Sequence, residues 1–139
     1  MNMFTRLLTA WVIATSFTTA QAALVVIANA TVQDHVEIAT LSRIYTGRMI
    51  VLNGTGVNPV NLASGSPARQ QFLQHVLNQD DDKYIGYWIV RRSIGKGAPP
   101  REFATTQEII DYVANTPGAI GYIDSDSNLP SSVKVLLKN

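Results

Sequence analysis

The 139-residue chain has no cysteine, and its eleven Lys and Arg residues nearly balance its ten Asp and Glu residues. The lack of cysteine excludes disulfides, thiolate metal sites, a cysteine nucleophile and the lipid anchor of a lipoprotein. A net charge near zero provides no long-range field to attract nucleic acid or an anionic membrane, so neither is an expected partner.

The first 22 residues predict a cleavable signal peptide. Arg6 gives a positive start, residues 7–14 are a short apolar run, and residues 20–22 (Ala-Gln-Ala) match a signal-peptidase site. The apolar run is shorter than the roughly 20 residues that a membrane-spanning helix needs. We therefore expect residues 1–22 to be removed and residues 23–139 to form one periplasmic domain without a membrane anchor. A buried N-terminal helix is the alternative.

A buried strand and a short helix are predicted next. Residues 23–28 are a continuous apolar run rich in β-branched side chains, which is typical of a strand covered on both faces. The helix is expected to have Thr40 as its N-cap and Gly47 just past its end. Residues 48–52 are predicted to be either a strand or an irregular lead-in to a turn at residues 53–56.

A strand at residues 57–62 and two helices are predicted for the middle of the chain. Ser66 is placed to cap the first helix, because Pro67 fits its first turn. The acidic run at residues 80–82 is expected to open the second helix, where negative charge favours the N-terminal dipole. One face of this second helix carries Tyr84, Ile85, Trp88 and Ile89.

A loop, a third helix and two strands are predicted for the rest of the chain. Residues 95–100 contain two glycines and two prolines, so they are expected to form a loop. Thr105 should cap the helix while Glu108 bonds back to the Thr105 amide, as in a capping box. With strands at 119–123 and 133–137, the pattern predicts an α/β domain whose mixed, mostly parallel sheet is flanked by helices.

The break between the 57–62 strand and the next helix is the candidate binding site. It places Ser64, Gly65 and Ser66 where helix N–H groups lack intrahelical partners and the helix dipole favours an anion. Gly65 permits close approach, and Arg69, one turn later, can offer a guanidinium to phosphate, sulfate or a carboxylate. Alternatively, Ser66 only caps the helix and Arg69 is a solvated surface residue.

The sequence predicts no catalytic residue, no metal site and no cofactor. Residues 93–96 fit a Ser-x-x-Lys pattern, but its usual partner motifs are missing and two glycines would break the helix it requires. Nothing brings His35 or His75 to a serine. Residues 124–128 resemble the opening of a calcium loop, but Leu129 takes the place of its glycine, so a polar turn is expected.

Three segments, residues 40–48, 60–66 and 116–122, resemble in the same order segments of the periplasmic phosphate-binding proteins of ABC transporters. Residues 40–48 are similar to a short helix followed by F/Y-x-G-K/R, and residues 60–66 to the family's Ser-Gly-Thr phosphate loop. Residues 116–122, Thr-Pro-Gly-Ala-Ile-Gly-Tyr, resemble a strand near the end of the second lobe and are the most specific match.

The resemblance implies a type II periplasmic binding fold, in which two α/β lobes hold an oxyanion between them. This chain is long enough for about one lobe. By position, the resemblance implies Ser64, Gly65 and Ser66 as oxyanion contacts, with Ser66 in the threonine's place. Residues 60–63 lack the Arg and Asp that commonly precede the loop, and Pro67 removes one backbone donor.

Two functions are expected from these observations. The first is an exported, solute-binding-like protein that holds phosphate or a similar oxyanion and is linked to phosphate uptake or sensing. The alternative is a non-catalytic protein-interaction module of an envelope complex that has lost its ligand. The corresponding partners are a small oxyanion, and an envelope protein or a second copy that would close the half-exposed site. An exported hydrolase is the least supported class.

Overall fold

The computed structural model describes residues 12–17, 23–124 and 128–139. Its strands are β1 (Val25–Asn29), β2 (Val51–Leu52), β3 (Thr55–Gly56), β4 (Asn58–Leu62), β5 (Arg101–Phe103), β6 (Ala119–Ile123) and β7 (Val133–Lys138). Its helices are α1 (Ile38–Tyr45), α2 (Pro67–Phe72), α3 (Asp81–Ser93) and α4 (Thr106–Asn115), and a π-helical turn at Leu73–Leu77 extends α2.

Five strands form the main sheet, in the order β5-β4-β6-β1-β7. Strand β4 pairs in parallel with β5 and β6, whereas β1 pairs antiparallel with β6 and β7. Four strands therefore run in one direction and β1 runs in the other. The predicted α/β class and the mixed, mostly parallel sheet are confirmed.

The predicted buried strand lies inside this sheet, between β6 and β7. All five residues of β1 are buried, because strands cover both edges and helices cover both faces. Asn29 ends the strand and is itself buried. Its side-chain amide donates to the Val113 carbonyl at 2.8 Å, and its Oδ1 accepts from the Thr31 amide at 3.0 Å. A polar residue can end this strand because its side chain is fully bonded.

Helices pack on both faces of the sheet. On one face, Phe72 stacks on Tyr122 with ring centroids 4.1 Å apart and contacts Tyr45 at 4.5 Å, which docks α2 and α1. On the other face, α4 packs against β6 so closely that a Cβ on Gly121 would lie 2.8 Å from Ile109. Helix α3 lies on the first face, where the Tyr84 hydroxyl donates to the Tyr45 carbonyl at 2.9 Å.

A separate hairpin of β2 and β3 confirms the predicted turn at residues 53–56. Asn53 and Gly54 have φ values of 48° and 79° at its tip. Two-residue hairpin turns of type I′ need positive φ at both positions, and Asn-Gly is the pair that adopts them most readily. The alternative of a strand within residues 48–52 is thereby confirmed in part, as β2.

Two predicted helix caps are wrong in detail. Helix α1 begins at Ile38 after Glu37, so Thr40 lies inside its first turn and is not the N-cap. The Glu37 carbonyl accepts from the Leu41 amide at 3.0 Å and closes that turn without a side-chain cap. In α4, Thr105 is the cap as predicted, but Glu108 accepts from the Ala104 amide at 3.0 Å instead of the Thr105 amide.

Strand β5 was not predicted. Arg101 and Glu102 in β5 are exposed, so the segment carries no apolar run from which a strand is predicted.

The apolar residues of α3 do not all face the core: Tyr84 and Trp88 are buried, whereas Ile85 and Ile89 remain exposed. The four apolar side chains therefore do not share one buried surface.

The predicted signal peptide lies mostly outside the described residues. Residues 12–17, the part that is described, are exposed and have no regular secondary structure. Within the described ranges, no helix has the length and apolar character required to cross a bilayer.

Candidate anion-binding turn

The turn at residues 63–66 connects β4 to α2 at the carboxyl edge of the sheet. Strands β4, β5 and β6 are parallel, so their carboxyl ends and the N-termini of α2 and α4 meet at this edge. The Ala63 amide donates to the Phe103 carbonyl at 2.9 Å, which fixes the turn to the end of β5. Ligands of open α/β sheets generally bind at such an edge.

Gly65 gives the turn its shape. Its φ is +90°, a conformation that favours glycine, and no heavy atom lies within 4 Å of the position a Cβ would take. Ser64 and Gly65 are exposed and Ser66 is partly exposed. The serines are therefore not covered by packed side chains, and the turn is open to solvent.

Ser66 caps α2 as predicted. Its Oγ accepts from the Arg69 amide at 3.4 Å, and its carbonyl accepts from the Gln70 amide at 3.1 Å. Pro67 is the first residue of the helix, as expected. The capping role of Ser66 leaves its hydroxyl hydrogen available to a further acceptor.

Some donors at the turn are unpaired. The Ser66 amide donates to the Ala63 carbonyl at 3.2 Å, but the amides of Ser64, Gly65 and Ala68 have no acceptor in the described part of the chain. Unpaired amides at the start of a helix are the donors that anions use. Together with two serine hydroxyls, they form a small donor-rich surface.

Arg69 is buried beneath the turn. Only 1% of its surface is exposed, so the alternative of a solvated surface residue is wrong. Its Nε donates to Asp81 at 2.7 Å, and its Nη1 donates to Glu102 at 2.7 Å and to the Leu62 carbonyl at 2.9 Å. The side chain thus joins α2 to β4, β5 and the start of α3.

The charge of Arg69 is already balanced by protein groups. Burial lowers the pKa of the guanidinium, but the hydrogen bonds to Glu102 and Asp81 outweigh burial, so the net pKa is raised. One cation faces two carboxylates in this cluster. An anion at the turn would therefore be attracted mainly by amides and hydroxyls.

A buried hydrogen-bond network, which the sequence analysis missed, supports the end of β4. The Tyr122 hydroxyl accepts from the Leu62 amide at 3.2 Å and donates to Asn61 Oδ1 at 3.0 Å. Asn61 Nδ2 in turn donates to the Tyr84 hydroxyl at 3.2 Å. Burial raises the pKa of Tyr122 and Tyr84, and also that of Tyr45, whose hydroxyl donates to the Val60 carbonyl.

One signal in the sequence points to this network. Asn61 is a polar residue in an otherwise apolar strand, and a buried amide side chain needs several partners. Tyrosines on neighbouring elements are natural partners, since each presents an apolar ring and a polar tip. The network keeps β4, and hence the turn that follows it, in one position.

The other candidate motifs lie apart from the turn. The Ser93 hydroxyl donates to the Val90 carbonyl at 2.8 Å, and His35 and His75 are exposed. The middle of the calcium-like segment, residues 125–127, lies outside the described residues. Where the structure is described, no group of three or more His, Cys, Asp and Glu residues is placed to hold a metal ion.

No family model and no curated protein sequence matches this chain. Solved structures do match. An ABC-type phosphate transport receptor from Vibrio cholerae aligns with a TM-score of 0.62 and 18% identity, over 84% of this chain and 46% of the receptor. PstS from Borrelia burgdorferi aligns with a TM-score of 0.59 and 16% identity, over 84% and 50% of the two chains.

A third match carries a ligand. It is a Clostridium perfringens protein assigned as a phosphate ABC transporter substrate-binding protein and solved with bound phosphate. It aligns with a TM-score of 0.61 and 20% identity, over 83% of this chain and 45% of its own. At these identities the matches show the fold. The chain spans about half the length of these neighbours and has the fold of phosphate-binding proteins of ABC transporters. The prediction of a single-lobe relative is thereby confirmed.

Proposed function

We propose that this chain is an exported solute-binding protein that holds phosphate or a similar oxyanion at Ser64, Gly65 and Ser66. The observation that carries the proposal is the open turn at the carboxyl edge of the sheet, where the amides of Ser64 and Gly65 are unpaired in the described part of the chain and Gly65 leaves open space. The fold shared with phosphate receptors supports the same choice of ligand.

Binding would depend on hydrogen bonds more than on a neutralising charge. Residues 60–67 carry no charged side chain, and Arg69 is paired with Asp81 and Glu102. Amide donors and the positive end of α2 favour any compact oxyanion. A carboxylate can accept a hydrogen bond from protonated phosphate but not from sulfate, which has no proton to donate. Because the turn has no carboxylate, we expect similar affinities for phosphate and sulfate.

Arg69 contributes to this site by positioning it. Its bonds to the Leu62 carbonyl and to Glu102 hold the end of β4 and β5 at the base of the turn. We propose that Arg69 fixes the direction of the Ser64–Ser66 donors, and that its own contact with the anion, if made, is secondary to this role.

Export to the periplasm, followed by delivery of the anion to a transporter or sensor, is the setting we propose. The signal-peptide pattern of residues 1–22 supports export. The exposed side chains of Val12, Ile13 and Phe17, which lie outside the core, fit a segment that is removed. The fold shared with phosphate receptors of ABC transporters supports a link to phosphate transport.

Calorimetry on refolded, ligand-stripped residues 23–139 tests the site. We expect heat and a thermal shift with phosphate and with sulfate. Gly65→Val should abolish both while the fold persists, because a β-branched residue at φ +90° displaces the turn.

Gly97→Val is the matched control, since Gly97 also has a positive φ of 111° and open space around its Cβ position. Equal titration of Gly65→Val and the wild type would show that the site is misplaced. No heat with folded wild type at millimolar phosphate would exclude oxyanion binding. The exposed apolar side chains of α3 would then favour the second candidate, a protein-interaction module.

A further inference from the structure

Helix α3 carries an exposed seam with apolar residues at its centre and opposite charges at its ends. Ile85 and Ile89 retain 39% and 64% of their surface exposed, and Asp82 and Arg92 are exposed at either end. The spacing of 82, 85, 89 and 92 alternates three and four residues, which keeps all four on one side of a helix. We call these four residues the α3 seam.

Nothing within the chain explains the composition of the α3 seam. Asp82 and Arg92 have no hydrogen-bond or ion-pair partner among the described residues. Gly86, beside the seam, is exposed and has no heavy atom within 4 Å of its Cβ position. Glycine is disfavoured inside a helix unless something requires it, and close approach of a second backbone is one such requirement.

A recess beside the α3 seam adds room for a partner's side chains. It has a volume of about 180 Å³. Its apolar lining includes Ile85, Trp88, Ile89 and Pro99, and its polar lining includes Asn61, Arg69 and Glu102. Apolar recesses next to exposed apolar side chains are typical of the central part of protein interfaces.

The α3 seam complements itself when two copies of the helix lie antiparallel. About a two-fold axis perpendicular to the helix and level with residue 87, Ile85 faces the partner's Ile89, and Asp82 faces the partner's Arg92. Each contact occurs twice, as in an isologous dimer. A parallel arrangement would instead bring Asp82 to the partner's Asp82, which like-charge repulsion disfavours.

We propose that the α3 seam is a dimerisation surface on which two copies of this chain associate with their α3 helices antiparallel. Burial of the isoleucines drives the association, because exposed ion pairs contribute little affinity. The charges at the ends set the antiparallel orientation. The dimer does not require a bound anion.

Sedimentation velocity in phosphate-free buffer tests the apolar centre. The wild-type mature chain should show twice the mass of one chain, and Ile89→Asp should reduce it to a single chain. Ile50→Asp is the matched control: Ile50 is 72% exposed but lies outside the α3 seam, so its variant should remain dimeric. Circular dichroism should show all three proteins folded.

Charge reversal tests the orientation. Asp82→Arg and Arg92→Asp should each weaken self-association at least about tenfold, because each variant places like charges together twice. An equimolar mixture of the two should form a heterodimer, since every pair is then opposite in charge. A mixture of folded variants that stays monomeric overturns the antiparallel pairing.

The wild type alone can overturn the whole proposal. A single-chain mass at every concentration up to about 1 mM, the weak end of measurable affinity, excludes a second copy as the occupant. The partner of the α3 seam would then be a different protein. Because no phosphate is present, the result is independent of whether the Ser64–Ser66 turn binds an anion.

Discussion

The turn at residues 63–66 and the aromatic cluster of Tyr45, Phe72 and Tyr122 lie at the same end of β4 but differ in how their polar groups are bonded. In the cluster, both hydroxyls are buried and bonded to strand atoms. In the turn, Ser64 and Gly65 are exposed, and their two amides are unpaired among the described residues. The difference separates groups that hold the fold from groups left available to a ligand.

The largest expected effect comes from ionising three buried tyrosines: Tyr45 and Tyr122 of the cluster, and Tyr84, whose hydroxyl donates to the Tyr45 carbonyl. Burial raises the pKa of Tyr45, Tyr84 and Tyr122 above the ordinary value of 10.0. Because the pKa of each tyrosine is higher in the folded than in the unfolded state, its contribution to the free energy of unfolding is complete below about pH 10. That contribution is lost as the pH rises towards the folded-state pKa. Each tyrosine contributes a slope of about 1.4 kcal/mol per pH unit.

Tyrosinate absorbance and circular dichroism, followed together through alkaline pH, check this expectation. The absorbance change of the three buried tyrosines should coincide with loss of the folded signal. Ionisation of all five tyrosines near pH 10 in a folded protein would contradict it.

Gly118→Ala should lower the free energy of unfolding by roughly 4 kcal/mol. Gly118 has a φ of +76°, and a Cβ there would lie 1.9 Å from the Gly56 carbonyl oxygen. Gly97→Ala, at a φ of +111° with open space, should cost only about 1 kcal/mol. Denaturant unfolding compares the two, and equal losses would contradict the close approach.

Arg69→Met should lower the free energy of unfolding by about 3 kcal/mol, because it leaves two carboxylates without their shared cation. This loss is at the low end for a buried ion pair, because Asp81 is partly exposed and Glu102 is exposed. Arg48→Met, at an exposed position, should change stability by less than about 0.5 kcal/mol. Similar unfolding curves for both variants would refute the anchoring role.

Tyr122→Phe should cost about 2 kcal/mol, because the Leu62 amide and Asn61 Oδ1 both lose a buried partner. Tyr112→Phe is the control, since its hydroxyl accepts from Asn58 at a partly buried site that water can reach. Its loss should be below about 1 kcal/mol. Thermal unfolding distinguishes the two, and a Tyr122→Phe protein as stable as wild type would contradict the network.

Ser64→Ala gives the smallest expected change in stability, below about 0.5 kcal/mol, because the side chain is exposed. Its effect should fall on the ligand: loss of one hydrogen bond lowers phosphate affinity about fivefold. Ser131→Ala, at another exposed position, should change neither quantity. Unchanged phosphate affinity in Ser64→Ala would remove that hydroxyl from the proposed site.

Local patterns predicted most of the fold. The apolar run of β1, the Ser66-Pro67 start of α2 and the Thr105 cap of α4 each depend on neighbours within a few residues. Such neighbours are visible in the sequence. Errors arose where distant contacts decide the outcome, as in β5, which becomes a strand by pairing with β4 more than 40 residues earlier.

The site was predicted less completely, for the same physical reason. The position of the turn and the capping role of Ser66 follow from local chemistry. The environment of Arg69 does not, because its acceptors Asp81 and Glu102 are separated from it by 12 and 33 residues. A lone arginine one turn into a helix fits a ligand contact and a buried anchor equally well until those carboxylates are located.

The placement of β1 has a consequence for how the protein is made. The first strand pairs only with β6 and β7, so Val25 lies opposite Ile123, near the other end of the chain. Contacts so far apart in sequence form slowly. The sheet therefore cannot close during synthesis until β6 and β7 have emerged, and until then β1 has neither of its partner strands.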